Sequence, residues 1–248
     1  MTSPNNTGAA WIKELPVAHR GYHDLNHQVW ENTLSAFSRA VDAGFAIECD
    51  VQLAADSVPV VFHDHDLERL CGIKGDIREK TSAELRMLAV GGTNDKVPTL
   101  KQMLDLVAGR VPLVIEIKGR EGEGEDDGFV EAVLEVLEGY QGKVALMSFD
   151  HHILRDLKRA GAPYPNGLTA MGDKPEEFFK HDEAMQLGLD FISYHWPHLP
   201  NSFITAQRAA GIPVITWTVR DAKGVEHTYS HAEQMTFEGF DPREKPAA

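Results

Sequence analysis

The chain has 248 residues, 42% of them hydrophobic and 25% charged, an ordinary globular composition with apolar material for one large core. Its formal net charge of −14 leaves no basic surface of the kind a nucleic-acid binder needs; a phosphate site here must draw its positive field from a metal ion or a few local Lys and Arg. No run of about 18 apolar residues predicts a membrane span, Met1–Ala10 lacks a basic start and an apolar signal core, and two cysteines make no disulfide framework, so a cytoplasmic location is expected.

Short apolar runs alternate with amphipathic stretches along the chain. Val17–Arg20 reads as a first strand. Asn32–Ala43 reads as a helix with Leu34, Phe37, Ala40 and Val41 on one face, Asn32 or Thr33 as N-cap and Gly44 as C-cap. In the second strand, Ala46–Leu53, Ile47, Cys49, Val51 and Leu53 point one way and Glu48, Asp50 and Gln52 the other. Val58–His63 returns after a turn at Asp56-Ser57 too short for a crossover, which predicts an antiparallel hairpin bringing His63 beside Glu48 and Asp50.

Helices are then expected over Ser82–Leu88, Leu100–Val107, Phe129–Leu137, His152–Ala160, Glu176–Leu187, Ser202–Ala210 and Ala222–Ala232. Strands are expected over Pro112–Lys118, Val144–Phe149, Gly167–Met171, Phe191–Tyr194, Pro213–Val219 and, poorly marked, Met235–Phe237. Such alternation means parallel sheet. Without the hairpin's return strand, eight strands remain. That count and the length suit a single (β/α)8 barrel domain over 1–248. An open doubly wound sheet is the competing architecture, but no Gly-rich nucleotide loop follows the first strand. The acidic, glycine-interrupted run Glu121–Asp127 reads as a solvated mobile loop.

In a barrel, chemistry collects at the C-terminal strand ends. These carry His19-Arg20-Gly21, Glu48-Cys49-Asp50, His63-Asp64 and Glu116-Ile117-Lys118. Glu48 and Asp50 share one face of a strand. Buried without compensation they would cost several kcal/mol, or one would take up a proton. A divalent cation removes the problem, with Glu116 as a third oxygen donor, and an oxygen set suits Mg2+ or Ca2+. The competing explanation is a solvated pair, or an ion pair with Arg20. His19 and His63 are candidate acid and base. Arg20 and Lys118 could hold a phosphate or neutralise Glu31, Glu48 or Glu116. Trp217 could cover the apolar edge of a polyol or simply pack the barrel. His195-Trp196 could line the pocket. The remaining histidines are expected in turns and on polar helix faces, and Cys49 packs outward.

At these residues the sequence resembles the glycerophosphodiester phosphodiesterase family. The matching segments are AHRGYHDLNHQVWENTLSAF, IECDVQLAADSVPVVFHDHDLERLCG, VPTLKQMLDLV, VIEIKG, LMSFD and VITWTV, in the family's order from Val17 to Val219. The resemblance implies a TIM barrel of the phospholipase-C-like phosphodiesterase type. It implies one divalent cation, Mg2+ or Ca2+, and hydrolysis of small glycerophosphodiesters to sn-glycerol 3-phosphate and an alcohol. It assigns Glu48, Asp50 and Glu116 to the metal and His19 and His63 to acid–base catalysis. Arg20 and Lys118 fall to the phosphate, Glu31 to orienting Arg20, and Trp217 to packing against the glycerol. A lysophospholipase D-like activity on lysophospholipids is the alternative, needing an apolar groove around Trp30 and Trp196. Two departures stand out: Trp30 replaces the proline usual before Glu-Asn-Thr, and EQMTFEGFDPREKP replaces a Thr-Asp-Arg-Pro-like ending, leaving barrel closure open. The segment from Asp64 to Pro112 is too short for a separate insertion domain.

Overall fold

The eight-residue strand β2 (Ala46–Leu53) is the hub of the sheet. It pairs in parallel with β1 (Val17–Ala18) and with β4 (Leu113–Ile117), and antiparallel with β3 (Pro59–Val61). The computed structural model describes residues 8–120 and 126–244. The sheet continues through β5 (Val144–Ser148), β6 (Asn166–Ala170), β7 (Phe191–His195), β8 (Val214–Val219) and β9 (Gln234–Phe237). β9 pairs with β1, which closes eight parallel strands into a barrel and leaves β3 as the appended return strand of the hairpin. The poorly marked last strand therefore forms, with Val17 opposite Thr236 and Ala18 opposite Phe237.

Helices α1 (Leu34–Ala43), α4 (Leu100–Val107), α5 (Phe129–Leu137), α6 (His151–Arg159), α7 (Pro175–Met185), α8 (Ser202–Ala209) and α9 (Ala222–His231) connect the strands. Their ends follow local chemistry. Thr33 caps α1 by accepting from the Ala36 amide, and left-handed Gly44 terminates it. Thr99 and Gln102 form a capping box on α4. Outward strand residues such as Ile47, Cys49, Ile115 and Leu146 pack against the helices, so Cys49 does point away from the carboxylates. No helix among the described residues is long and apolar enough to cross a membrane.

Inward residues recur with period two, and their character changes from one end of the barrel to the other. The lowest layer is apolar: Val17, Ala46, Val114, Ala145, Phe191 and Ile215. A 3₁₀ turn, Ala9–Lys13, closes that end, with Trp11 and Ile12 buried in the same cluster. Two residues further along each strand come Glu48, Glu116, Met147, Thr169, Ser193 and Trp217, which line a cavity at the C-terminal end.

Between β3 and α4 the chain builds more than a bare connection. Two single-turn helices, α2 (Glu68–Cys71) and α3 (Ser82–Leu85), and a 3₁₀ turn at Ile77–Glu79 enclose an apolar cluster of their own. Leu67, Leu70, Ile77, Leu85, Val90 and Val97 meet Val60 and Phe62 there, with Trp30 against them. Gly91 at φ +62° lies on the Trp30 indole, where a Cβ would come within 2.0 Å of the ring. Trp30 is thus built into this lobe and does not line the cavity at the strand ends.

Candidate active site

β1 is two residues long because the backbone turns sharply at its end. Arg20 adopts φ +54° and Gly21 φ +82°. A Cβ on Gly21 would sit 2.8 Å from that of Ala36 in α1, so the His-Arg-Gly sequence needs its glycine on both counts. The turn aims the Arg20 amide at Glu48, donating to Oε2 at 2.8 Å. The following Glu-Asn-Thr divides its work among three neighbours. Glu31 accepts from Arg20 Nη1 at 2.5 Å. Asn32 Nδ2 donates to Asp50 Oδ2 at 2.8 Å. Thr33 caps α1.

Strand register places Asp50 directly beside Glu116. Glu48, Asp50 and Glu116 are all buried and can each offer an oxygen within 4.8 Å of the others. Two cations face them. Lys118 Nζ lies 2.5 Å from Glu116 Oε1 and 3.0 Å from Asp50 Oδ1. Arg20 Nε lies 3.2 Å from Asp50 Oδ2. Burial would raise the Asp50 pKa, but Lys118 and Arg20 outweigh it and hold the carboxyl well below its usual range. Glu48 goes the other way: burial, then the charges of Asp50 and Glu116, push it well up. Glu116 is raised as well, first by burial, and Lys118 opposes the shift. The cluster therefore holds more negative charge than its own cations balance. Its all-oxygen donor set could bind a hard divalent ion.

Each candidate histidine has a carboxylate on Nδ1. His63 meets Asp64 Oδ1 at 2.6 Å, and His19 meets Glu238 Oε2 at 2.5 Å. Burial lowers the His19 pKa to about 4, with Glu238 pulling the opposite way. Gln52, the third polar residue on the inner face of β2, donates to the carbonyls of His63 and Asp64 and pins the hairpin's end. Arg69 of α2 bridges the two sides of the site. It donates to Asp64 through Nε at 2.6 Å and to Glu31 through Nη1 and Nη2 at 2.9 Å.

These groups open onto a cavity of about 220 Å³ lined by His19, Arg20, Glu48, His63, Glu116 and Lys118 on one side. Phe149, His195, Trp217 and Arg220 face them, and the hydroxyl-bearing Thr169, Ser193 and Thr236 also line it. Those three hydroxyls are buried and make no hydrogen bond among the described residues. Trp217 is fixed by its Nε1–H donating to the Ser193 carbonyl at 3.1 Å, with Phe149 edge-on at 5.4 Å between ring centres.

The profile of the glycerophosphoryl diester phosphodiesterase family matches residues 19–239. The chain belongs to that family. A glycerophosphodiester phosphodiesterase of Caldanaerobacter subterraneus subsp. tengcongensis is 29% identical over 227 residues, covering 87% of this chain and 89% of the relative. An Oleispira antarctica phosphodiesterase, solved with the product sn-glycerol-3-phosphate, superposes with a TM-score of 0.81 at 24% identity, over 94% of this chain and 96% of that one. The glycerophosphodiester phosphodiesterase of Thermotoga maritima gives a TM-score of 0.72 at 26% identity, over 90% and 94% of the respective chains.

Of the nine site residues expected for a member of the glycerophosphoryl diester phosphodiesterase family, seven line the cavity. Glu31 and Asp50 stand behind its wall, holding Arg20 and Lys118. His195 lines the cavity too, whereas Trp196 does not: its Nε1–H donates to the Thr218 carbonyl. The expected groove around Trp30 and Trp196 is absent from this cavity's lining. His23 and His181 are buried, against the expectation of exposure. Residues 121–125 of the expected mobile loop lie outside the described residues. Asp126 departs from that expectation, because it is buried and binds Arg78, His152 and the Arg120 amide. Asn32, Arg69 and Glu238 were not singled out for the site. Asn32 was read only as a cap, and Arg69 sits on a single helical turn with no periodicity to mark it. Glu238 follows the weakest strand.

Proposed function

We propose that the chain hydrolyses glycerophosphodiesters to sn-glycerol 3-phosphate and an alcohol, with His19 and His63 as the proton-transfer pair and one divalent cation, Mg2+ or Ca2+, on Glu48, Asp50 and Glu116. One observation carries this reading. Two carboxylate-backed imidazoles, two part-buried cations and Glu48 and Glu116 of the three-acid cluster, with Asp50 just behind, open onto a single cavity at the C-terminal end of the barrel. The cation would supply Lewis-acid polarisation and charge neutralisation at the phosphoryl group. Arg20 and Lys118 bind and orient the phosphate oxygens. Burial alone would lower both pKa values, yet the neighbouring carboxylates hold both above their ordinary range, so both stay charged. One imidazole takes the proton of the attacking oxygen, from water or from the adjacent glycerol hydroxyl. The other protonates the departing alkoxide as the P–O bond breaks. Trp217 covers the carbon edge of the glycerol. The complex of the Oleispira antarctica relative with sn-glycerol-3-phosphate supports the substrate class.

A purified-protein assay with glycerophosphocholine in defined metals tests this. Chelator should stop turnover and added Mg2+ or Ca2+ restore it. His19→Ala and His63→Ala should each cost about 10²–10⁴-fold in kcat. Full activity in either variant removes that histidine from the reaction. The lysophospholipase D-like alternative keeps one observation in its favour: Phe149 and Met171 are part-exposed apolar side chains just beyond adjacent strand ends. Lysophosphatidylcholine in the same panel separates the two, since preferential turnover of it overturns the small-substrate reading.

A further inference from the structure

We propose that Glu238 is the positioning residue of His19, holding it in the Nδ1–H tautomer with Nε2 turned to the reacting groups. This rests on His19 acting in proton transfer. Strand pairing brings the two residues together from opposite ends of the chain. The register sets Ala18 opposite Phe237, and the His19 amide donates to the Phe237 carbonyl at 2.9 Å. The next residue on each strand is then His19 and Glu238. A carboxylate at 2.5 Å from Nδ1 has no proton to give, so the ring must donate. That leaves Nε2 as the ring nitrogen able to exchange a proton in the cavity that His19 lines.

Glu238 is itself held from several directions. Its amide donates to the Val219 carbonyl at 3.0 Å. Its Oε1 accepts from Arg220 Nε at 2.6 Å, and His23 Nε2 stands 3.6 Å from Oε2. The residue after it, Gly239, lies at φ +81° against Leu25, where a Cβ would meet the side chain at 2.9 Å. A buried carboxylate fixed at its backbone and at both oxygens is a rigid reference for an imidazole. The arrangement repeats on the other side of the cavity, where Asp64 holds Nδ1 of His63. The two imidazoles thus present the same ring atom to one space.

The test is a double-mutant cycle on the full chain with saturating Mg2+ and glycerophosphocholine. Glu238→Gln should lower kcat about 10–100-fold, part of the general acid–base contribution, with KM changed less than about threefold. Glu238→Asp should recover part of that loss. In a His19→Ala background, Glu238→Gln should change kcat by less than about twofold, because its effect runs through a ring no longer present. The same fold-loss in both backgrounds, or wild-type kcat in Glu238→Gln, overturns the proposal. Wild-type turnover by His19→Ala instead overturns the underlying role of His19, and the positioning role with it. Nitrogen-15 spectra of histidine-labelled wild-type protein give a readout that needs no variant to fold. His19 should show a protonated Nδ1 and a bare Nε2; the opposite tautomer rejects the assignment.

Discussion

Glu31 is anchored from three sides, by Arg20, Arg69 and Asn26. Burial would raise its pKa, but Arg69 and Arg20 hold it down at about 2. The native state thus gives up this proton more readily than the unfolded chain. The resulting stability is fully present above about pH 4.5 and drains away as pH falls toward 2, amounting to about 3 kcal/mol. Glu31→Gln should lack this component. The difference in unfolding free energy between wild type and variant should therefore shrink as urea melts are moved from pH 6 to pH 2.5; a constant difference rejects the ion-pair account. Glu48 has the opposite sign, since burial and its acidic neighbours disfavour its charge. In chelator, Glu48→Gln should match or exceed the wild-type melting temperature. Millimolar Mg2+ or Ca2+ should raise the wild type alone, by about 2.7 kcal/mol at a hundred times Kd. Equal rises in both proteins would take Glu48 out of the metal site. These histidines and acids were legible because strand periodicity puts them on one inner face. The Arg20 partner of Glu31 was legible too, but Glu238 and Arg69 were not, because only the tertiary fold brings them to His19 and Glu31.

The lobe between β3 and α4 shows how such an element enters the site. Its helices α2 and α3 have four residues each; α2 is far too short for a 3.6-residue period to show in sequence, and α3 covers only the first part of the helix expected over Ser82–Leu88. The long helices and the parallel strands were legible almost to their ends, and so was the hairpin, whose short turn around Asp56-Ser57 allowed no crossover. Only a helix over Ser82–Leu88 was expected in this segment, because the lobe's apolar residues are dispersed and become a cluster only once α2 and α3 fold over β3. Its functional product is Arg69, half-exposed yet forked between Asp64, which holds His63, and Glu31, which holds Arg20. Removing the fork should loosen His63 and Arg20 together. Arg69→Ala should lower kcat/KM at least about tenfold, with both kcat and KM affected. Arg69→Lys should restore little, since one ammonium cannot span two carboxylates as a planar guanidinium does. Full rescue by lysine would show that only the positive charge matters.

The barrel as a whole separates stability from chemistry along its axis. Its net charge is −14, yet Arg20, Lys118 and Arg220 gather at the cavity proposed to take the phosphate. Glu48, Asp50 and Glu116 stand beside these cations, so a net positive field there would need the proposed divalent ion as well. At the opposite end the inner layer is apolar, and the charged Glu14 and Lys143 pair outside it. Trp11 and Ile12 close the apolar bottom layer over Val17, Ala46, Phe191 and Ile215, and Trp11 is only 6% exposed. The inner layer of Glu48, Thr169 and Ser193 lies between this plug and the mouth. A cavity left by Trp11→Ala is therefore felt by the core and not by the substrate. Truncation of a buried aromatic costs about 3–5 kcal/mol, equivalent in a chain of this size to roughly 10 °C in melting temperature. Assayed well below that melt, Trp11→Ala should keep KM and kcat within about twofold of wild type. A large change in KM with little thermal loss would mean that the two ends of the barrel are mechanically coupled.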